Sequence, residues 1–266
     1  GLAGDDSIYG GDGSDTLSGG DGSDFINGQN GNDIVSGDAG DDFVYGEAGN
    51  DVVNGGAGTD LLSGGSGDDI LRGGLGINDY LSGDEGNDLY LFAAGDGNTT
   101  INNFDSAVIR HDVLRFMDGI SASDVVATRS QNDLILTLQM SAEVITVSGH
   151  FYLTANPRPY QKAINAVEFS DGTIWDEAAL NAMVLVATDG SDALYGDGTA
   201  DSLEGLAGDD RLYGGNGDDT LGGGEGNDEI YGGTLEEISY FGENPLLFSD
   251  AGNDLLKGDA GNDSLY

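Results

Sequence analysis

The 266-residue chain has no cysteine, and it holds only three prolines, one tryptophan and eight lysines and arginines together. Without cysteine no disulfide can staple a small fold, and thiolate metal centres are excluded as well. So few scattered cations cannot build the basic stripe that nucleic-acid binding requires, and an anionic membrane surface would repel the chain. Nowhere do about 18 apolar residues follow one another, the length a helix needs to cross a bilayer. No signal peptide is visible at the N-terminus. The chain begins at position one of a repeat and ends, at Tyr266, on position nine of another, as expected of a piece cut in phase from a longer protein.

Glycine and acid are abundant instead: 48 glycines and 49 aspartates and glutamates, for a formal net charge of −41. Self-repulsion of that size opposes compaction, so something must offset it. Residues 1–91 read as one phrase repeated: GLAGDDSIY, GGDGSDTLS, GGDGSDFIN, GQNGNDIVS, GDAGDDFVY, GEAGNDVVN, GGAGTDLLS and GGSGDDILR, then GGLGINDYLS with one extra residue, then GDEGNDLYL. The form is G-G-x-G-x-D-x-U-x, with U large and apolar. Glycines at positions one, two and four are expected to allow positive φ and a sharp turn that aims carbonyl oxygens inward. Position four holds Gly4, Gly13, Gly22, Gly31, Gly40, Gly49, Gly58 and Gly67. Position six adds a carboxylate: Asp6, Asp15, Asp24, Asp33, Asp42, Asp51, Asp60, Asp69, Asp79 and Asp88. Carbonyls with carboxylates make an all-oxygen, adaptable cage, which suits Ca²⁺ better than Mg²⁺ or a thiol- or imidazole-seeking metal. Positions seven to nine form a short strand with the middle side chain inward: Ile8, Leu17, Ile26, Val35, Val44, Val53, Leu62, Leu71, Leu81 and Tyr90. A disordered linker would need no such phased aliphatic residue.

This pattern resembles the RTX (repeats-in-toxin) family of secreted bacterial proteins, whose nonapeptide belongs to the parallel β-helix repeats. The resemblance implies that two nonapeptides make one turn of a flattened right-handed roll, with Ca²⁺ between loops two copies apart. Asp6 would then share an ion with the loop of Asp24, and Asp15 with the loop of Asp33. The run Asp88, Tyr90, Phe92, Gly95, Asp96, Gly97 and Ile101 resembles the ending of many RTX blocks, except that Thr99 stands where an acid is expected.

Residues 92–186 contain no nonapeptide. Segments 112–117, 124–130, 133–139 and 143–152 predict strands; AVEFSDGTIWD predicts two more around an SDG turn, and residues 176–187 a short helix. A loop with Pro157 and Pro159 lies between. The order DVLRF, GISASDV, NDLILTL, ITVSGHF, VEFSDGTIW resembles the haemolysin-type calcium-binding-related domain found beside RTX blocks. From 187 the repeat returns with Asp192, Asp201, Asp210, Asp219, Asp228, Asp254 and Asp263 at position six and Gly208, Gly217, Gly226, Gly252 and Gly261 at position four. The copy at 187 lacks its opening glycines and Thr199 replaces a position-four glycine, so those two loops are expected to be weak sites. An insertion, residues 234–250, should bulge from one edge without breaking the stack, and its apolar content suggests that it packs onto something. The expected fold is therefore all-β: right-handed parallel β-roll blocks at 1–91 and 187–266, with an intervening β-rich domain at 92–186 carrying one short helix. One ion per loop pair on the same edge gives roughly 8–13 Ca²⁺, and about 13 would cancel about 26 charges.

Position seven should face outward, yet in the first block it is apolar: Phe25, Phe43, Leu61 and Tyr80 on one sheet, Ile34, Val52, Ile70 and Leu89 on the other. Such a stripe predicts cover by the middle domain, the insertion or a neighbouring chain; β-propensity alone is the competing reading. Exposure above half at both Phe25 and Phe43 would contradict cover.

Catalysis has little support. His111 and His150 lie in separate segments, no G-x-S-x-G elbow is present, and the regular carboxylates offer no distinct acid/base pair. The prolines follow Asn156, Arg158 and Asn244, so no Asp-Pro bond exists for self-cleavage of the kind some RTX proteins resemble. EF-hand spacing is absent, positions three to five lack the Thr and Asn ladder of ice-binding RTX modules, and Trp175 reads as core. The expectation is a non-enzymatic, calcium-binding module of a large type I-secreted protein, extracellular or on the surface of a Gram-negative bacterium. It would be the carrier region of a toxin or secreted enzyme, or alternatively part of an adhesin or surface-layer protein.

Overall fold

The computed structural model describes the chain except for residues 103–110, 118, 131–132, 152–163, 185–186, 197–199, 236–247, 250–254 and 263. Two compact units are present, Gly1–Leu180 and Asn181–Tyr266.

In the first unit each nonapeptide contributes one strand, and successive strands alternate between two sheets. Ser7–Asp12, Phe25–Asn30, Phe43–Ala48, Leu61–Ser66 and Asp79–Glu85 stack in parallel on one; Thr16–Asp21, Ile34–Ala39, Val52–Gly58, Ile70–Gly76 and Leu89–Phe92 stack on the other. Register is set by the repeat itself, with Ile26 beside Val44 and Val44 beside Leu62 on the first sheet, and Val35 beside Val53 on the second. A slip by one residue would turn every position-eight side chain to solvent. Instead those side chains from Ile26 to Tyr90 are fully buried between the sheets, at most 1 % exposed. Tyr90 reaches further than the aliphatic residues it replaces, and its hydroxyl accepts the Gly83 N–H at 2.8 Å.

The two sheets run on past the last nonapeptide. Thr99–Ile101 pairs in parallel with Asp79–Glu85 and with Val144–Val147, while Val113–Phe116 pairs with Leu89–Phe92 and with Ala166–Glu168. Antiparallel strands then finish each sheet: Asp133–Leu138 and Val125–Ser130 on one, Ile174–Asp176 on the other. Their aromatic core is Phe92, Phe116, Phe169 and Trp175, in successive ring contacts of 5.8, 5.1 and 4.4 Å. The helix is shorter than expected, Glu177–Met183, and Asp176 Oδ1 caps it by accepting the Ala179 N–H. Pro157 and Pro159 lie outside the described residues.

In the second unit Ala193–Tyr195, Arg211–Tyr213, Glu229–Tyr231 and Ser264–Leu265 form one parallel sheet, and Ser202–Glu204, Thr220–Glu225 and Leu255–Ala260 the other. Leu194, Leu203, Leu212, Leu221 and Ile230 make its core. The insertion leaves this stack intact: Thr234–Leu235 and Phe248–Ser249 pair as an antiparallel stem, and Thr220 lies beside Leu255 across it. The rest of the insertion lies outside the described residues. Position nine makes an outer ladder of stacked rings, Tyr195, Tyr213, Tyr231 and Tyr266, at 4.7, 4.9 and 4.9 Å. Burial and the neighbouring phenols push the Tyr213 hydroxyl up to about 12.

The outer apolar rows of the first block are partly open. Ile34 is 54 % exposed and Phe43 49 %, while Phe25 is partly buried between the Tyr9 and Tyr45 rings, 5.8 and 5.5 Å away. Among the described residues the segment after residue 92 prolongs the two sheets rather than lying across these rows.

Candidate metal sites

From Asp24 to Asp88 in the first unit and from Asp210 to Asp228 in the second, the position-six carboxylates share one contact. Oδ1 accepts the backbone N–H of the aspartate one turn earlier. On one edge Asp6 donates to Asp24 (2.7 Å), Asp24 to Asp42 (2.8 Å), Asp42 to Asp60 (2.9 Å) and Asp60 to Asp79 (3.0 Å). On the other Asp15 donates to Asp33, Asp33 to Asp51, Asp51 to Asp69 and Asp69 to Asp88, at 2.7 to 3.0 Å. The second unit repeats this from Asp192 to Asp210, Asp201 to Asp219 and Asp210 to Asp228, at 2.8 to 2.9 Å. The loop pairs expected to share ions are therefore the ones brought together.

The second oxygen has a different fate. Oδ2 of Asp15, Asp24, Asp33, Asp42, Asp51, Asp60, Asp69, Asp79 and Asp210 is buried with no hydrogen-bond partner. An ionised oxygen held so, away from water, is costly unless a cation meets it. The carbonyl of the next turn's first glycine faces the same small space: a methyl group placed on Gly10 would meet Gly28 O at 2.6 Å and Asp15 Oδ2 at 2.7 Å. Two acceptors and no donor converge there. No three acidic or imidazole side chains cluster among the described residues, so backbone carbonyls would complete the shell. That donor set fits Ca²⁺, which takes six to eight oxygens at flexible geometry.

Burial raises the carboxylic acids of Asp42, Asp51 and Asp210. In the middle of the first array it pushes Asp60 and Asp69 up to about 7 and Asp79 up to about 6. The charged form is disfavoured because burial outweighs the single backbone N–H on each Oδ1.

The glycines divide by role, which corrects the expectation of positive φ at all three positions. Among the described residues position four adopts it from 101° at Gly4 to 156° at Gly261, except at Gly76 and Gly190. Position two adopts it as well, but Gln29, Asp38, Glu47 and Asp84 manage the same turn at φ of 67° to 77°. Position one has ordinary φ and is glycine because a Cβ would strike the cage oxygens.

Several expected sites differ from the pattern. In the copy without opening glycines, Thr188 fills the gap, and its N–H and hydroxyl donate to Asp192 Oδ2 at 2.7 and 3.0 Å. Thr199, Gly252, Asp254 and Asp263 lie outside the described residues. Sequence reasoning missed the ladder's continuation: Asp112, fully buried, accepts the Asp88 N–H at 2.9 Å, and Asn165 accepts that of Asp112 at 2.8 Å. The signal was present in Asp112 and Leu114, spaced as positions six and eight. His111 is exposed, and His150 packs edge-on against Phe151 at 4.6 Å.

The profile described as RTX calcium-binding nonapeptide repeat matches residues 1–26, 18–53, 27–62, 45–78, 54–90, 63–101, 186–221, 213–234 and 246–266, more than half of the chain. The chain belongs to this family. RTX nonapeptides bind Ca²⁺, several ions per block. Residues 133–179 match the haemolysin-type calcium binding protein related domain. Over 106 residues the RTX chain is 40 % identical to the iron-regulated protein FrpA of Neisseria meningitidis serogroup C, covering 40 % of this chain and 9 % of FrpA. The solved extracellular lipase LipA from Serratia marcescens aligns over 90 % of this chain and 43 % of its own, at 18 % identity and a TM-score of 0.23.

Proposed function

We propose that this chain is a calcium-gated folding module of a larger secreted protein, in which the position-six aspartates named above and the loop carbonyls beside them hold the ions. The observation that carries this reading is the row of buried, partnerless Oδ2 atoms. With metal bound, each cage exchanges the desolvation cost of a carboxylate for ion coordination, and binding free energy becomes folding free energy. Without it, a formal charge of −41 keeps the chain expanded. Such a chain would stay threadable inside a Gram-negative cell, pass through type I secretion, and compact outside, where Ca²⁺ is millimolar.

The module's own role is non-catalytic: it carries a toxin or enzyme region located elsewhere in the parent protein. A second reading, part of an adhesin or surface-layer protein, is favoured by the half-exposed apolar rows around Ile34 and Phe43, which offer a contact surface. Small-angle scattering during a Ca²⁺ titration tests the gating. A fall in radius of gyration toward about 18 Å, the globular value for a chain of this length, is expected; a radius already compact in chelator would contradict it.

A further inference from the structure

One loop at the end of the first array resembles the calcium loops in course but not in chemistry. Gly97 lies over Gly76 as the position-four glycines lie over one another, and Thr99 takes the position-six place beside Asp79. Here the Asp79 N–H goes to the Asn98 backbone carbonyl at 3.1 Å instead of to a carboxylate. Asp96, 1 % exposed, is held by Arg72: Nη2 donates to Oδ1 at 2.8 Å and Nε to Oδ2 at 3.1 Å, and Oδ2 also accepts the Ala93 N–H. The loop's remaining inward amides are met by a second acid: Glu143 Oε1 accepts Gly95 N–H at 2.8 Å and Gly97 N–H at 3.1 Å, while its Oε2 accepts the Ser141 hydroxyl. Asn98 Oδ1 accepts the Val144 N–H, tying the same loop to the same strand.

Every carboxylate oxygen of Asp96 and Glu143 thus has a donor from the protein, whereas Oδ2 of Asp24, Asp42, Asp60 and Asp79 on the repeat edge has none. A bidentate guanidinium is geometrically matched to a carboxylate and carries the positive charge that an ion would supply. We infer that the loop 93–98 is closed by Arg72 and Glu143 in place of calcium, forming a metal-independent lock at the end of a metal-dependent array. The lock joins loop 93–98 to the strand Val144–Val147, so this part of the first unit holds its contacts where the repeats do not. The inference rests on the calcium-gated reading of the repeats.

Hydrogen exchange of the full chain in excess EDTA, read by mass spectrometry, tests it. Peptides over 93–98 and 133–147 are expected to keep protection at least about tenfold above that of peptides over 19–69. Equal, fast exchange in both regions would overturn the lock while leaving calcium gating intact; full protection of 19–69 in EDTA would overturn the gating reading and the inference with it. In Arg72→Gln with Glu143→Gln, measured in saturating Ca²⁺, residues 19–69 should be protected and 93–98 should not. Protection of 93–98 in that variant in saturating Ca²⁺ but not in EDTA would place an ion in the loop and refute its closure by the protein alone.

Discussion

The amide of Asp42 donates to Oδ1 of Asp60 across 2.9 Å, and the other oxygen of that carboxylate is buried without a donor. One half of the side chain holds two turns of backbone together and the other half is left for a cation. Asp60→Asn keeps an acceptor for Asp42 but removes the charge, so the Ca²⁺ midpoint of folding should rise about tenfold, on the scale of losing one charged ligand. Asp60→Ala also strands the Asp42 amide, at a further cost of about 1–3 kcal/mol. Circular dichroism during Ca²⁺ titration separates the two.

Position-one and position-two glycines should behave oppositely. Gly37→Ala drives a methyl group into Asp42 Oδ2 and the Gly55 carbonyl and should lose several degrees of melting temperature even in saturating Ca²⁺. Gly11→Asn places its side chain in open space and needs only a shift of φ from 110° toward the 74° to 77° of Gln29, Asp38 and Glu47, so it should melt closer to the parent than Gly37→Ala does. Equal losses would contradict the division of roles.

Calcium uptake should release few protons between pH 6 and 7, because the aspartates of the expanded, metal-free chain titrate near the ordinary carboxylate value of about 4. Burial holds the folded-state values of Asp60 and Asp69 at about 7 and of Asp79 at about 6, above the unfolded carboxylate. For a raised acid, the contribution to metal-free stability is complete below the unfolded value near 4 and is lost as pH rises through 6 to 7. A compact metal-free state would instead hold these acids partly protonated, and metal, which requires the ionised form, would displace those protons. Calorimetry in buffers of different ionisation enthalpy reads any released protons; heats that vary with the buffer would contradict the expanded metal-free state.

Asp192 should contribute no ion. Thr188 already occupies its Oδ2, whereas Asp210 keeps an open, buried oxygen. Native mass spectrometry is expected to show an unchanged Ca²⁺ count for Asp192→Ala and a lower count for Asp210→Ala.

In the core, Leu62→Ala should cost about 2–5 kcal/mol, the range for a fully buried leucine. Tyr90→Phe keeps the ring but strands the Gly83 amide, for roughly 1–2 kcal/mol. Thermal melts in saturating Ca²⁺ measure both.

The roll was legible because its chemistry recurs in translation: once Asp6 and Ile8 have roles, the same roles pass to Asp24 and Ile26, then to Asp42 and Val44. What the repeat does not spell out was harder to read. Val113–Phe116 lacks a glycine loop, so nothing in its composition announces that it joins the sheet of the array, although Asp112 and Leu114 keep its spacing. Position-one glycines looked like turn residues, and only the packed loops reveal that they make room for oxygens. The Arg72–Asp96 pair spans 24 residues of sequence and follows no period, so it depends on the fold to be seen.

The far-UV circular dichroism of the whole chain in excess EDTA and in millimolar Ca²⁺, followed through heating, bears most directly on the coupling of metal to folding. The account predicts little β signal in the 1–91 array without metal and a cooperative, Ca²⁺-dependent melt with it. Native-like β signal and the same cooperative melt in chelator would contradict it.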